Sequence, residues 1–219
     1  MDDEPRSSVY MTVSLSLSKN PTLNTQLNTL RRQQFEFLNL FHTTSDEDFS
    51  LLTGNLKSRF FKKGDVIVAP GQVQRELYFV KSGVQMSYFD AARKTHVIAF
   101  TYPPNLCAIP GSFPFQKPSE YFLTSLADSE MEYLTHEELL HLFDQSPSIE
   151  RLFRKMTEAL LAGIISRHAE LHALTMEQRY RAFCQRSPHL LQLVPHKYIA
   201  SYLGIDPTNF SKLYNTVKI

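Results

Sequence analysis

The spacing of apolar side chains divides the chain into a helical entry, a β-type middle and a helical end. From residue 26 to 41 leucine and phenylalanine recur at helical spacing, which predicts an amphipathic helix. From about Leu56 the period shortens towards two, and turns rich in glycine and proline separate short runs. The clearest runs predict strands at 59–61, 66–69, 77–81, 84–89, 96–101, 121–127 and 131–134. Short strands at this spacing predict an antiparallel, jelly-roll-like β-roll within an α+β chain.

Helical spacing returns after the β-type region, first over 137–144 and then in a much longer run over 147–174. A helix of about 25 residues spans roughly 40 Å, so it is either a strut on its own domain or one half of a dimer seam. The seam hypothesis predicts a homodimer. Its contacts would come from a stripe of apolar and small residues: Leu152, Met156, Leu160, Gly163 and Ile164.

The pattern over 196–213 predicts two short helices joined by a tight turn. The first helix ends at Gly204, which readily adopts the left-handed conformation found at helix ends. Asp206 can cap a second helix, whose first residue, Pro207, needs no amide hydrogen there. Apolar residues at helical spacing would hold the two helices together: Ile199, Ala200, Leu203, Phe210 and Leu213. This combination predicts a helix-turn-helix, with an ordinary helical hairpin as the alternative.

The second helix of this unit would keep a short polar face with one cation: Thr208, Asn209, Ser211 and Lys212. The major groove of DNA accepts such a face, so we expect these side chains to contact double-stranded DNA. Lys197 and His196, at the start of the preceding helix, are expected to meet the phosphate backbone. A dimer would present two such units, which predicts a palindromic operator.

The distribution of charge bears on function only near the C-terminus. The whole chain has a formal net charge of +1, whereas the residues from Thr175 onward carry six cations against two anions. A basic end on a mildly acidic body suits nucleic-acid binding. The apolar fraction of 42% is ordinary for a globular protein, and no apolar run is long enough for a membrane span.

The cysteines and histidines of this chain show no pattern that is typical of a disulfide, a metal site or a catalytic site. Cys107 and Cys184 are far apart, which predicts buried thiols in a reducing compartment, and cytoplasm is therefore the expected location. His168 and His172 are four residues apart on the long helix, but no third ligand is in view, so no metal is expected. A cupin-type metalloenzyme needs several clustered histidines, whereas the β-type region holds one, His96. We therefore predict no catalytic residues and no enzyme activity.

The chain is predicted to contain three parts after a polar N-terminal extension. Residues 1–24 are expected to be poorly ordered, although residues 9–17 alternate as a strand would. The β-roll domain is placed at 25–146, the long helix at 147–174 and the helix-turn-helix domain at 175–219.

Three segments resemble the Crp/Fnr family of bacterial transcription regulators: Phe61–Ile67, Glu76–Gly83 and Val194–Gly204. The order of β-roll, long helix and terminal helix-turn-helix is similar as well. The resemblance implies an effector-binding, cyclic-nucleotide-binding-like β-roll, a dimer through the long helix, and a second helix of the helix-turn-helix that reads DNA. It also implies RNA polymerase as a candidate partner. The family usually carries a β-wing after the recognition helix, but only a few residues follow that helix here, so the wing is expected to be missing or vestigial.

The sequence departs from the family pattern in the loop over 105–120. The family's cassette carries Gly-Glu for the ribose and Arg-Ser or Arg-Thr for the cyclic phosphate. Here Gly111 is followed by Ser112, and the arginine position falls on Ser119 or Glu120, next to Tyr121. A carboxylate would repel a phosphate, so cAMP is not expected to bind and the effector, if any, stays unidentified. The recognition helix also departs, because the family often has Arg and Glu at the positions of Pro207 and Thr208.

Two other functions fit parts of the pattern. The terminal helices could bind a protein, which would make the chain a sensor or adaptor. The β-region could be a cupin-type enzyme, although its single histidine argues against this.

Overall fold

The computed structural model describes the backbone of residues 23–217 and the side chains of residues 29–217. The predictions for the N-terminal extension, including the alternating segment 9–17, lie outside the described residues. The helices are α1 (Leu23–Asn39), α2 (Asp46–Thr53), α3 (His136–Gln145), α4 (Pro147–Ala173), α5 (Met176–Arg186), α6 (Leu190–Leu193), α7 (His196–Leu203) and α8 (Pro207–Thr216). The strands are β1 (Lys57–Phe61), β2 (Val66–Val68), β3 (Glu76–Val80), β4 (Gln85–Ala91), β5 (Lys94–Thr101), β6 (Leu106–Cys107), β7 (Phe122–Ser125) and β8 (Ser129–Thr135).

The eight strands form two four-stranded antiparallel sheets. The first has the order β1-β8-β3-β6 and the second the order β2-β7-β4-β5. The predicted α+β chain with an antiparallel β-roll is therefore confirmed. The seven predicted strands are all present, and the short β6 was missed because two residues are too few to show a period.

Strand β3 shows how the first sheet separates two cores. Tyr78 and Val80 point between the sheets, where they pack with Leu123 and Met131. Leu77 and the other alternate residues of β3 point to the opposite face and pack against the helices. Because helices α1 to α4 cover that outer face, β3 is apolar on both sides instead of alternating with polar residues.

A buried carboxylate fastens α1 to the outside of the first sheet. Glu132 of β8 accepts hydrogen bonds from the Arg31 guanidinium at 2.8 and 3.2 Å. Lys81 lies 3.6 Å from the same carboxylate, which is 6% exposed. Two cations thus offset the cost of burying the charge, and the entry helix is held in one position.

Helix α4 begins at a clear cap. The Ser146 hydroxyl accepts a hydrogen bond from the amide of Ile149, and Pro147 occupies the first turn. Its first turns are buried among the outer core, while the later turns expose most of their apolar side chains. Among the described residues, no helix is long and apolar enough to cross a membrane.

The C-terminal helices share a core with the outer face of the second sheet. Val84, Met86 and Val97 of the β-roll belong to the same buried cluster as Ile199 and Phe210 of the terminal helices. Tyr202 of α7 packs against Phe100 of β5, with ring centroids 5.4 Å apart. The terminal domain is therefore docked on the β-roll of its own chain.

Candidate DNA-binding interface

The two terminal helices, α7 and α8, and the turn between them have the local geometry that the sequence predicts. Gly204 adopts the left-handed conformation with φ of 61°, and the following amide, of Ile205, donates to the Ala200 carbonyl at 2.9 Å. The Asp206 side chain then accepts a 2.8 Å hydrogen bond from the Thr208 amide and caps α8. Phe210 is buried and meets Tyr180 of α5 edge-to-face at 5.6 Å. Helix α8 is therefore fixed by its apolar side.

The opposite side of α8 is polar and open. Thr208, Ser211 and Lys212 are exposed, and Asn209 is half-buried. Lys212, the charged side chain among the four, is not held in an ion pair within the part of the chain that the structure describes. The four residues predicted to read DNA thus share one accessible helix face.

The two residues predicted to meet the phosphate backbone differ in their surroundings. Lys197 is exposed, with its ammonium 4.8 Å from the centre of the Tyr198 ring. His196 is half-buried: its Nε2 lies 3.2 Å from the Leu191 carbonyl oxygen, and its ring packs 4.3 Å from that of Tyr214. The His196 ring therefore braces the domain, whereas Lys197 is available to a ligand.

Much of the positive charge near the C-terminus is used inside the protein. Arg186 pairs with Glu170 of α4, at 3.0 Å for one of its two contacts. Arg179 donates to the Leu171, Leu174 and Gly204 carbonyl oxygens at 3.0, 3.3 and 3.2 Å. Arg181 pairs with Glu177. The excess of cations in this segment consequently overstates the charge that could face DNA.

The Glu170 pair also joins α4 to the terminal domain. Burial would raise the pKa of Glu170, but the hydrogen bond and charge of Arg186, helped by Arg167, hold this pKa below its ordinary value. Arg167 also donates to the Tyr202 carbonyl of α7, and its guanidinium lies over the Tyr202 ring at 4.4 Å. One side of α4 is therefore occupied by contacts with the terminal helices of its own chain.

The predicted dimer stripe is divided by these contacts. Leu152 is 1% exposed and belongs to the core of its own chain, and Met156 packs against the same cluster. Gly163 is half-buried, whereas Leu160 and Ile164 are 41% and 53% exposed. Two neighbours outside the predicted stripe, Leu161 and Ile165, are exposed still further, at 57% and 60%. The open apolar face of α4 is therefore not the side that contains Leu152. It is the side that contains Leu161 and Ile165.

Two buried serines of the predicted effector loop use their hydroxyls for hydrogen bonds that hold the loop in its conformation. Ser112 is fully buried. Its hydroxyl accepts a hydrogen bond from the backbone amide of Gln74 at 3.0 Å and donates one to the backbone carbonyl of Lys117 at 2.7 Å. The Ser119 hydroxyl donates to the Tyr121 carbonyl and accepts from the Tyr121 amide. Both hydroxyls hold the loop in shape and do not face an open pocket.

The other predicted pocket residues lie nearer the surface. Gly111 and Glu120 are exposed, and Tyr121 is half-buried with its ring 6.2 Å from that of Phe89. An open depression of about 370 Å³ beside the loop is lined by residues 67–68 and 72–76, and none of the five predicted pocket residues lines it. Gln74, which lines the depression and holds the loop, gave no signal in the sequence.

Sequence reasoning also missed the contact between α7 and the β-roll. The Ser201 hydroxyl of α7 bonds to the backbone of Thr95 and Val97 on β5. The Tyr102 hydroxyl and the Ser187 hydroxyl form a second contact at 2.7 Å. Single serines and tyrosines carry no pattern, so only their surroundings reveal this role.

Several solved structures share this arrangement, and their likeness confirms the predicted α+β fold with its antiparallel β-roll. FixK2 from Bradyrhizobium japonicum is 15% identical with a TM-score of 0.63, over 73% of this chain and 83% of that chain. A CooA mutant from Carboxydothermus hydrogenoformans is 16% identical with a TM-score of 0.60, over 84% and 83%. CLP of Xanthomonas campestris, described as a c-di-GMP-responsive global regulator, is 16% identical with a TM-score of 0.57, over 78% and 90%. No protein-family model and no curated protein sequence matches the chain.

Proposed function

We propose that this protein is a homodimeric transcription regulator that binds a palindromic DNA site through α8. The observation that carries the proposal is the polar, accessible face of Thr208, Asn209, Ser211 and Lys212 on a helix whose other side is buried. A helix of this kind fits the major groove, where asparagine suits adenine and lysine suits guanine. The likeness to solved regulators supports the same reading of the fold.

The dimer would form through the open face of α4. Leu161, Ile164 and Ile165 are each more than half exposed on this helix, and large apolar side chains grouped in this way usually mark an interface. A two-fold axis beside α4 would place two α8 helices on one side of the dimer. Half-sites about 34 Å apart, or some ten base pairs, would then match both helices.

The effector would differ from cAMP. The buried serines of the loop have their hydroxyls engaged, and the exposed Glu120 adds negative charge where a phosphate would need a cation. The chemistry of a small-molecule effector stays open. RNA polymerase is the partner expected of a regulator that activates transcription.

Selection of bound sequences from a random DNA pool tests the proposal directly. We expect enrichment of a two-fold symmetric motif, and loss of that motif when Asn209 and Lys212 are both replaced by alanine. The matched control is the Arg154→Ala variant, whose side chain is exposed near the start of α4 and pairs with Glu158. Absence of any enriched motif with the unaltered protein would contradict DNA recognition and favour a protein partner for these helices.

A further inference from the structure

Two histidines lie on the open face of α4, close to its C-terminal end. His168 and His172 are both exposed, and their ring centroids are 4.5 Å apart. They continue the line of Leu161 and Ile165, because the four positions are separated by four, three and four residues. That spacing is the seam of a two-stranded coiled coil.

We infer that the α4 seam holds a divalent metal ion of the zinc or nickel class, bound by His168 and His172 of both subunits. This inference rests on the proposed dimer. The inference requires the two α4 helices to run parallel about the two-fold axis. In such a seam each position along the axis faces the same position of the partner helix, so two imidazoles from each chain converge on the axis. Four nitrogen ligands suit the tetrahedral preference of zinc, and imidazole also binds nickel and copper.

A single chain cannot supply this site. Within the described residues, no group of three or more histidine, cysteine, aspartate or glutamate side chains is placed to hold a metal. Two histidines one helical turn apart are half of a four-ligand set, and the partner chain supplies the other half. The site therefore exists in the dimer alone.

The surroundings favour a ligand role for these imidazoles. Neighbouring seam positions are apolar, and a polar ring buried there needs a partner. The adjacent cation, Arg167, directs its guanidinium away, to the Glu170 carboxylate at 3.1 Å and to the Tyr202 carbonyl. Arg186 also binds Glu170 on that side of the helix. These charged groups are therefore directed away from the seam side, where the two histidines lie.

The position of the site gives it a consequence for DNA binding. Helix α4 ends at Ala173, and the terminal domain begins with α5 at Met176. A metal joining the two α4 helices one turn before this junction would fix the separation of the two α8 helices. Metal loading would then set how well the dimer matches the spacing of its half-sites.

Zinc binding by the full-length protein tests the inference. After chelator treatment and dialysis against Zn²⁺ at pH 7.5, we expect about one ion per two chains, as a four-histidine site predicts. His168→Ala and His172→Ala should each weaken binding at least tenfold, because even the loss of an outer-shell partner commonly costs about 10–100-fold in affinity. His141→Ala is the matched control, since His141 is also an exposed helical histidine one turn from a polar neighbour, Gln145.

Sedimentation of the same samples separates this inference from the proposed dimer. A dimer in chelator that binds zinc in the His141→Ala variant, but not in the His168→Ala and His172→Ala variants, supports both. A dimer in which all three variants bind as much zinc as the unaltered protein overturns the metal site and leaves the dimer standing. A monomer under every condition overturns the dimer and the site together.

Discussion

Ser201 Oγ on α7 donates a hydrogen bond of 2.7 Å to the carbonyl oxygen of Thr95 on β5. The same hydroxyl accepts a 3.0 Å hydrogen bond from the amide of Val97. Strand β5 is at the edge of its sheet, so these backbone groups have no neighbouring strand to bond with. One serine thereby completes the sheet edge and holds the helix-turn-helix against the β-roll.

We expect Ser201→Ala to lower the free energy of unfolding by about 1–3 kcal/mol, because it leaves a backbone donor and acceptor without partners in a packed interface. Urea unfolding is the measurement. Ser211→Ala is the control: its side chain is exposed on α8, so stability should stay within about 0.5 kcal/mol. Equal stability of both variants would show that the Ser201 contact does not hold the domains together.

Lys212→Ala should cost about 1–3 kcal/mol on the selected DNA site and relax preference at one position per half-site. Lys197→Ala should instead weaken all sequences alike and make the salt dependence shallower, because a phosphate contact carries no sequence information. Binding titrations at several salt concentrations, on the selected site and on scrambled DNA, distinguish the two effects. If both variants behaved alike on both DNAs, Lys212 would be a phosphate contact.

Leu161→Glu combined with Ile165→Glu should convert the dimer to folded monomers. Charges on both seam positions would repel those of the partner, while the exposed side chains contribute little to the fold of one chain. Sedimentation reports the mass and circular dichroism reports the fold. Leu140→Glu, at a site 48% exposed on α3, should leave the dimer unchanged. A double variant that still sediments as a dimer would place the interface elsewhere.

Calorimetry with cAMP should show no tight binding to the full-length protein. The hydroxyls of Ser112 and Ser119 are engaged in the loop, and Glu120 is exposed beside them. A dissociation constant in the low micromolar range, which corresponds to a binding free energy of about −8 kcal/mol, would contradict this prediction.

Glu170→Gln should lower stability at pH 7 by about 1–2 kcal/mol through the loss of charged hydrogen bonds to Arg186 and Arg167. Because the folded-state pKa of Glu170 is below its ordinary value of 4.5, the carboxylate stabilises the fold above that pH. This contribution disappears as the pH falls through the lower, folded-state pKa. Unfolding curves between pH 7 and pH 3 should therefore converge for the two proteins. Glu177→Gln, at an exposed pair, is the control, and curves that stay parallel to low pH would exclude this role for Glu170.

The local features of the helix-turn-helix were predictable from the sequence. Gly204 acts through its own backbone conformation and hydrogen bonds to the preceding turn, and Asp206 through a side-chain hydrogen bond to the amide two residues later, so a short window holds all the information needed for the turn and the cap. The strands were predictable for the same reason, because an alternation of side chains is a property of neighbouring residues. The outward face of α8 followed from its helical period.

The placement of the predicted pocket and seam residues was not predictable in this way. Helical period shows that Leu152 and Leu160 share a stripe with Met156, but not that the outer core covers the first of them and leaves the second exposed. Likewise, a serine in a loop looks the same whether its hydroxyl faces a ligand or, like that of Ser112, bonds to Gln74 and Lys117.

The sequence by itself determined the longer elements, their order and the two faces of α8, because these depend on residues within a few positions of one another. The tertiary structure alone decided which faces are covered. Ser201 meets Val97 across 104 positions of the chain, and Glu132 meets Arg31 across 101. Contacts of that separation depend on how whole sheets and helices pack, and a periodic pattern along the chain does not contain that information.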